Sequence, residues 1–346
     1  MDLRDRIEAF SILGEILVST AEGKTPGKGS VLDLLAEEMW KQNGWFTPGN
    51  VRMAMAETGR MLTREKLSEW TGRYNIPENT SPYTVAIVMA GNIPLVGFHD
   101  FLCTLISGNK ALVKTSSKDP LLIKEIGEIL FSINPLFRDY ISYTDSTLAG
   151  FDAVIATGSD NTARYFEEYF GKYYNIIRGN RNSVAVIDGT ETDEELKLLG
   201  RDVFSYFGLG CRNVSKLLVP AGYSFDRIIS SWENYSGNAG NSKYANNLDY
   251  NKAIYMVNRD RFVDAGFVLI KPDPALASPV GVVYYENYKT ENEVAAYLSQ
   301  NSGSIQCIIG RNHIPYGEAQ SPQLWDYADN YDTLEFLLKK NTSGIL

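Results

Sequence analysis

The chain has 346 residues, 33 of them basic and 42 acidic, for a formal net charge of -9; 44% are hydrophobic and 22% charged. Such a composition is that of a globular protein, and the length exceeds what one small core organises, so two domains of roughly 150 residues each are expected. An acidic chain without a basic cluster repels phosphate backbones, which argues against a nucleic-acid partner.

Residues 1–19 place Leu3, Ile7, Phe10, Leu13, Ile16 and Leu17 at helical spacing, and Gly23 to Gly29 break that helix. A second helix is expected over 30–41, a third from the cap Thr47-Pro48, and a fourth over 64–74. From Asn79 to His99 no residue is charged, a length that suggests a membrane span. Pro82, Gly91, Asn92 and Pro94 interrupt it, so it reads as a buried strand over 83–90 followed by a helix to about Ser107. Strands are expected at 111–114, 151–157 and 184–187, with helices opening at Asp119-Pro120 and after Gly158-Ser159. The alternation implies a mostly parallel α/β sheet. Thr192 caps a helix over 192–206, and the strand 215–219 follows. The Asn-, Gly-, Ser- and Tyr-rich stretch 233–251 reads as a long loop. Strands at 253–257, 279–285 and 305–309 and a helix at 291–300 come next, and the tail 325–340 reads as helix or edge strand.

Cys103, Cys211 and Cys307 are too few and too scattered for a disulfide framework, which suits a reducing, cytoplasmic compartment. The start MDLRDRIEAF is unlike a secretory signal. Cys211 follows Gly208-Leu209-Gly210 and precedes Arg212. Glycines there permit unusual dihedrals and close approach to a ligand, and a neighbouring cation favours the thiolate. A lone cysteine is more often a small buried hydrophobe, and both readings stand at this level. Cys103 and Cys307, set in apolar runs, read as core.

Asn92, at the end of the first expected strand, is either a donor to a developing oxyanion or a turn residue. Lys114, Ser116 and Ser117 end the second strand, where an ammonium and hydroxyls suit ribose or phosphate. Gly158 and Ser159 precede a helix N-terminus, which suits a pyrophosphate. Solvated loops often share these patterns, and neither a GxGxxG nor a Walker A motif is present. With His99 and His313 the only histidines, and without Cys-x-x-Cys or His-Glu-x-x-His, no metal site is expected. His99, beside Asp100, is either an acid–base group or a hydrogen-bonded surface histidine. The absence of a Gly-x-Ser-x-Gly elbow disfavours a serine hydrolase.

The order of these features carries more than any one of them. Trp45 to Arg52, Ala90 to His99, Ser107 to Lys114, Arg178 to Val186 and Gly208 to Lys216 together resemble the aldehyde dehydrogenase superfamily, and within it the LuxC type of acyl-CoA reductase. The resemblance covers roughly 40–340. It implies an aldehyde-dehydrogenase-like α/β fold: an N-terminal helical segment (1–75), a Rossmann-like cofactor domain (76–183), an α/β catalytic domain (184–325) and a tail (326–346). It implies Cys211 as acyl-accepting nucleophile, with Asn92 and the Cys211 amide as the oxyanion hole. Lys114, Ser116, Ser117, Gly158 and Ser159 fall to the cofactor, with the nicotinamide between the domains.

Two departures from the superfamily bear on the reaction. The water-activating glutamate of hydrolytic aldehyde dehydrogenases is missing from Ile177-Arg178-Gly179-Asn180-Arg181, and the nicotinamide-ribose glutamate from Ala277-Ser278-Pro279-Val280. Without a base to activate water a thioacyl enzyme persists, which favours acyl-CoA reduction over aldehyde oxidation. Ser117-Lys118, where NAD-preferring relatives carry a glutamate, points to NADPH ahead of NADH. A homo-oligomer is compatible with the resemblance. An acyl-phosphate reductase and a non-catalytic cofactor-binding scaffold are the rival readings.

Overall fold

A computed structural model describes residues 1–24, 30–77 and 81–342. The expected glycine break at 23–29 lies outside the described residues from position 25 on, as does Asn79. Two compact units divide the chain: Met1–Asn180 with Pro322–Leu346, and Arg181–Ser321.

The first unit opens with helices α1 (Leu3–Ala21), α2 (Val31–Glu38), α3 (Pro48–Met61) and α4 (Arg64–Thr71). Their starts follow from side-chain caps: Asp2, Ser30, Thr47 and Thr63 each accept a backbone N–H from the first turn. Strand β1 (Thr84–Val88), helix α5 (Phe98–Ile106), β2 (Lys110–Lys114), α6 (Leu122–Ile133), β3 (Ile141–Tyr143), β4 (Ala153–Thr157), α7 (Asp160–Phe170) and β5 (Tyr174–Arg178) follow. The five strands form one sheet in the order β3-β2-β1-β4-β5, every pair parallel. Strand alternation sorts the core. Val85 and Ile87 join the large cluster built with α1 to α6, whereas Ala86, Val154 and Ala156 face Phe166 and Phe170 of α7.

The second unit contains β6 (Asn182–Val186), α8 (Asp193–Phe204), β7 (Val214–Pro220), α9 (Asp226–Ser231), α10 (Ser242–Asn258), β8 (Val263–Asp264), β9 (Leu269–Pro272), β10 (Val282–Tyr288), α11 (Glu291–Gln300) and β11 (Ile305–Ile309). Its sheet runs β11-β6-β7-β10-β9-β8, with β8 alone antiparallel. The C-terminal helix α12 (Thr333–Thr342) belongs to the first unit. There Trp70 donates to the Tyr327 hydroxyl at 2.7 Å, and Tyr174 stacks on Phe336 at 4.1 Å.

Several expectations need correction. Residues 242–258 are helix, where a loop to 251 and a strand at 253–257 were expected. Asn241 caps this helix through the amides of Lys243 and Tyr244, and Tyr244, Leu248, Asn251 and Tyr255 form its buried stripe. One member of that stripe is an asparagine, which hides the apolar period. The helix after Asn92 starts at Phe98, because Leu95 takes a left-handed backbone (φ 58). The helix expected from Asp119 starts at Leu122, because Asp119 turns back toward the β1 loop. Among the described residues no helix is long and apolar enough to cross a membrane.

Candidate active site

In the first sheet the chain starts centrally at β1, adds β2 and β3 on one side, then returns to place β4 and β5 on the other. Ligands of open α/β sheets collect at the carboxyl ends of the strands beside such a reversal. Val88 is in register with Lys114 on one side and Ala156 on the other. The loops carrying Asn92, Lys114 to Lys118, and Gly158-Ser159 therefore leave the same edge, from three neighbouring strands. Six of the seven singled-out residues gather there; Cys211 lies in the other unit.

Each loop is shaped by its own bonds. Gly91 sits so close to the Ser116 loop that a Cβ would lie 2.4 Å from Ser116 Oγ. Ser116 Oγ accepts the Lys118 amide at 3.2 Å, so this hydroxyl shapes its own loop. Lys114 Nζ donates to the Ser146 carbonyl at 2.8 Å, while Ser117 and Lys118 are exposed. Gly158 donates its amide to Arg178 C=O at 3.1 Å, and Ser159 caps α7 through Thr162. Asp160 turns its carboxylate onto the Asn180 amide at 2.7 Å. Asp119 is buried, and Oδ2 accepts the Leu95 amide at 3.1 Å. Burial pushes its carboxyl up to about 6, against the pull of that donor.

Strand β5 ends in a buried ion pair, within the segment 177–181. Arg178 donates to Asp100 Oδ2 at 2.6 Å and to Thr333 Oγ1 at 2.8 Å. His99 is half-buried. Nε2 lies 2.9 Å from the Leu324 carbonyl, and burial lowers its pKa. Cys103, beside it, is fully buried, and burial raises its thiol well above the ordinary range.

Cys211 is half-buried on the connection from α8 to β7. α8 begins with a capping box, Thr192 and Glu195 each accepting the other's amide. After Phe204 the backbone adopts three successive left-handed residues: Tyr206 (φ 52), Phe207 (φ 59) and Gly208 (φ 77). Two bulky side chains in that region store strain, which clusters at functional sites. Asn213 holds the loop in place. Its Oδ1 accepts the Gly210 amide at 2.8 Å, and its Nδ2 donates to the carbonyls of Asp202 and Ser205 at 3.0 and 2.9 Å. Ser183 Oγ donates to the Cys211 carbonyl at 3.0 Å and accepts the Cys307 amide at 3.2 Å. Arg212 Nε donates to the Ala319 carbonyl, and Asp202 accepts the amides of Gly317 and Ala319 at 2.7 and 3.0 Å. Phe207 packs on Tyr244 beside a cavity of about 20 Å³, room for roughly one water, which Ser278 and Val280 also line. Sequence reasoning overlooked Asp119, Asn213 and Ser183. Asn213 was findable as a turn amide three residues past Gly210; Asp119, read only as the start of a helix, also reaches the Leu95 amide.

Residues 61–223, just under half of the chain, match the model of the acyl-CoA reductase (LuxC) family. The long-chain acyl-protein thioester reductase of Aliivibrio fischeri is 26% identical over 161 residues, covering 42% of this chain and 34% of that protein. Long-chain acyl-protein thioester reductase 2 of Photobacterium leiognathi is 24% identical over 168 residues, covering 44% and 35%. The match thus spans about a third of the length of these curated relatives. Aldehyde dehydrogenase 21 of Physcomitrella patens, solved with succinate, superposes with a TM-score of 0.67 at 14% identity, over 98% of this chain and 84% of that one. An aldehyde dehydrogenase of Mycobacterium tuberculosis complexed with NAD+ gives a TM-score of 0.59 at 15% identity, over 86% and 71%. The fold is that of the aldehyde dehydrogenases, and residues 61–223 are similar to the LuxC family.

Proposed function

We propose that this chain reduces a thioester-bound acyl group to the aldehyde, with Cys211 as the covalent acceptor and NADPH as the reductant. The observation that carries the reading is the placement of Cys211: half-buried, three residues past a strained left-handed turn, in a loop fixed by Asn213 and Ser183. A cysteine that served only as core filling needs none of this. Cys103 and Cys307, both buried, have that simpler role.

The chemistry follows from the residues. The Cys211 thiolate attacks the acyl carbonyl carbon, and a C–S bond forms as the carbonyl oxygen takes negative charge. The Cys211 backbone N–H donates to that oxyanion, and the resemblance gives Asn92 the part of a second donor. The donor thiolate, preferably that of coenzyme A, then leaves, and an acyl group remains on Cys211. A reduced nicotinamide supplies a hydride equivalent when bound. Cys211 departs as thiolate when the reduced thiohemiacetal collapses to aldehyde. The segment 177–181 offers no carboxylate to activate water, and Arg178 is committed to Asp100 and Thr333, so hydrolysis does not compete from that position.

The first unit suits the dinucleotide. Residues 114–118 present two ammonium groups and three hydroxyls with no acid among them. We assign Lys114 and Ser117 to the adenosine ribose, Lys118 to a 2′-phosphate, and Gly158-Ser159 to the pyrophosphate, with Ser116 shaping the loop. Asp160, next to Ser159, spends one carboxylate oxygen on the Asn180 amide. On this reading the first unit binds the cofactor and the second is catalytic.

A second reading concerns the acyl donor. The relatives are named for acyl groups carried on a protein thiol, whereas the family model is named for acyl-CoA. Both donors are thioesters and both fit Cys211. Purified protein with NADPH and acyl-CoAs of increasing chain length should show coupled loss of NADPH and appearance of free CoA, with Cys211→Ala silent. Turnover only from an acylated protein thiol would move the donor to the second reading. Normal turnover by Cys211→Ala would remove the cysteine from the mechanism, and equal or better efficiency with NADH would remove the NADPH assignment.

A further inference from the structure

Asp119 joins two loops that the reaction uses separately. One is the β1 loop, residues 91–97, which carries Asn92; the other is the β2 loop, residues 114–118, which the proposed function gives to the dinucleotide. Asp119 Oδ2 accepts the Leu95 amide at 3.1 Å, across 24 positions of sequence. Leu95 is a left-handed leucine (φ 58), a conformation that costs about 1 kcal/mol or more and needs outside support. Asp119 is in turn tied to the cofactor loop. Its own amide donates to Ser116 C=O at 3.1 Å, Ser116 Oγ accepts from Lys118, and Ser116 packs directly under Gly91. Asn43 Nδ2 closes the other side of this loop on the Lys118 carbonyl at 3.3 Å. A displacement of residues 116–118 therefore moves both the carboxylate holding Leu95 and the hydroxyl against Gly91. Asn92 stands between those two contact points.

We infer that Asp119 is a positioning residue that couples occupancy of the dinucleotide loop to the setting of Asn92. This rests on the reading of residues 114–118 as the cofactor loop. A dinucleotide held at Ser117 and Lys118 braces the turn Ser116–Asp119, which fixes the Leu95 amide and with it the loop that presents Asn92. The oxyanion donor is thus in place when the reductant is, and an acyl group is accepted with hydride at hand. The chemical requirement on residue 119 is an acceptor oxygen of carboxylate length, not a charge.

The test is amide hydrogen exchange of the peptide covering 91–97, with and without NADPH, in the full-length wild type, Asp119→Ala and Asp119→Asn. Dinucleotide binding is followed in parallel by nicotinamide fluorescence. The wild type should bind NADPH and gain protection at 91–97. Asp119→Ala should exchange Leu95 roughly tenfold faster, the scale of one buried hydrogen bond, and should bind NADPH without the added protection. Asp119→Asn, which keeps an acceptor for Leu95, should restore the response. A merely structural aspartate would lower the melting temperature of both variants and leave the NADPH-dependent change intact. NADPH binding without any change at 91–97 in the wild type, or an unchanged response in a folded Asp119→Ala, would overturn the coupling and leave the cofactor reading standing. No binding of NADPH or NADH to the wild type would instead overturn the cofactor reading, and the coupling with it.

Discussion

Asn213 holds the Cys211 loop through one accepted and several donated hydrogen bonds while itself almost fully buried. Truncating it strands buried carbonyls and the Gly210 amide, so Asn213→Ala should cost on the order of 2–4 kcal/mol. Because the bonds end on the Cys211 loop, alkylation of Cys211 by iodoacetamide should slow as well. Denaturant unfolding and a thiol-trapping time course read the two effects; a loss of stability with unchanged alkylation would confine Asn213 to the fold. Asp202 makes a different kind of contribution. Burial pushes its carboxyl from 3.8 to about 6, against the donation of Gly317 and Ala319. The folded state therefore holds this proton more tightly than the unfolded chain. The resulting stabilisation is complete below pH about 4, shrinks as pH rises, and is gone above about 6, a change of at most about 3 kcal/mol. Asp119 shifts in the same direction but is common to wild type and Asp202→Asn, so it cancels in their difference. The stability of wild type relative to Asp202→Asn should fall between pH 4 and 7; a pH-independent difference would contradict the raised carboxyl. None of these three roles, Asn213, Asp202 or Asp119, was visible as function in the sequence. Asp202 and Asp119 act through backbone amides brought near only by the fold, and Asn213 acts mainly through the carbonyls of Asp202 and Ser205.

Among the elements, the turn from α8 to β7 separates what the sequence reveals from what it conceals. The capping box of Thr192 and Glu195 and the glycines before Cys211 were legible, because helix starts and glycine turns have local rules. The run of left-handed residues was half legible: Gly208 announces such a backbone, whereas Tyr206 and Phe207 are residue types that ordinarily avoid it. Gly208→Ala separates conformation from packing. The nearest atom to an added Cβ is the Val203 carbonyl oxygen at 3.5 Å, so there is room for the methyl, and the cost is that of the backbone at φ +77. A loss of about 1–2 kcal/mol is expected by thermal or urea unfolding. A neutral or stabilising result would mean that the turn relaxes to another conformation. Strands β3 and β5 went unread for ordinary reasons. Ile141–Tyr143 is only three residues long, and Tyr174–Arg178 is an edge strand whose apolar signal is diluted by Asn175 and Arg178. α10 went unread because Asn246, Asn247 and Asn251 are residue types that mark loops, and Asn251 interrupts its apolar stripe.

Across the whole molecule, the parallel sheet and the order of the motifs along it were legible, and they carried the family resemblance. The attachment of the C-terminal segment to the first unit was not, since it depends on contacts such as Tyr74 with Asp332 and Arg178 with Thr333, more than 150 positions apart. The functional account rests on one covalent step at one of three cysteines. The measurement that tests it most directly is mass spectrometry of the protein mixed with an acyl-CoA and no reduced dinucleotide, followed by peptide mapping. Lacking a carboxylate in 177–181 to hydrolyse it, the adduct should accumulate as one acyl group per chain on the peptide holding Cys211. It should be absent in Cys211→Ala and be discharged when NADPH is added. An adduct on Cys103 or Cys307, one that survives Cys211→Ala, or none with any thioester donor would contradict the account.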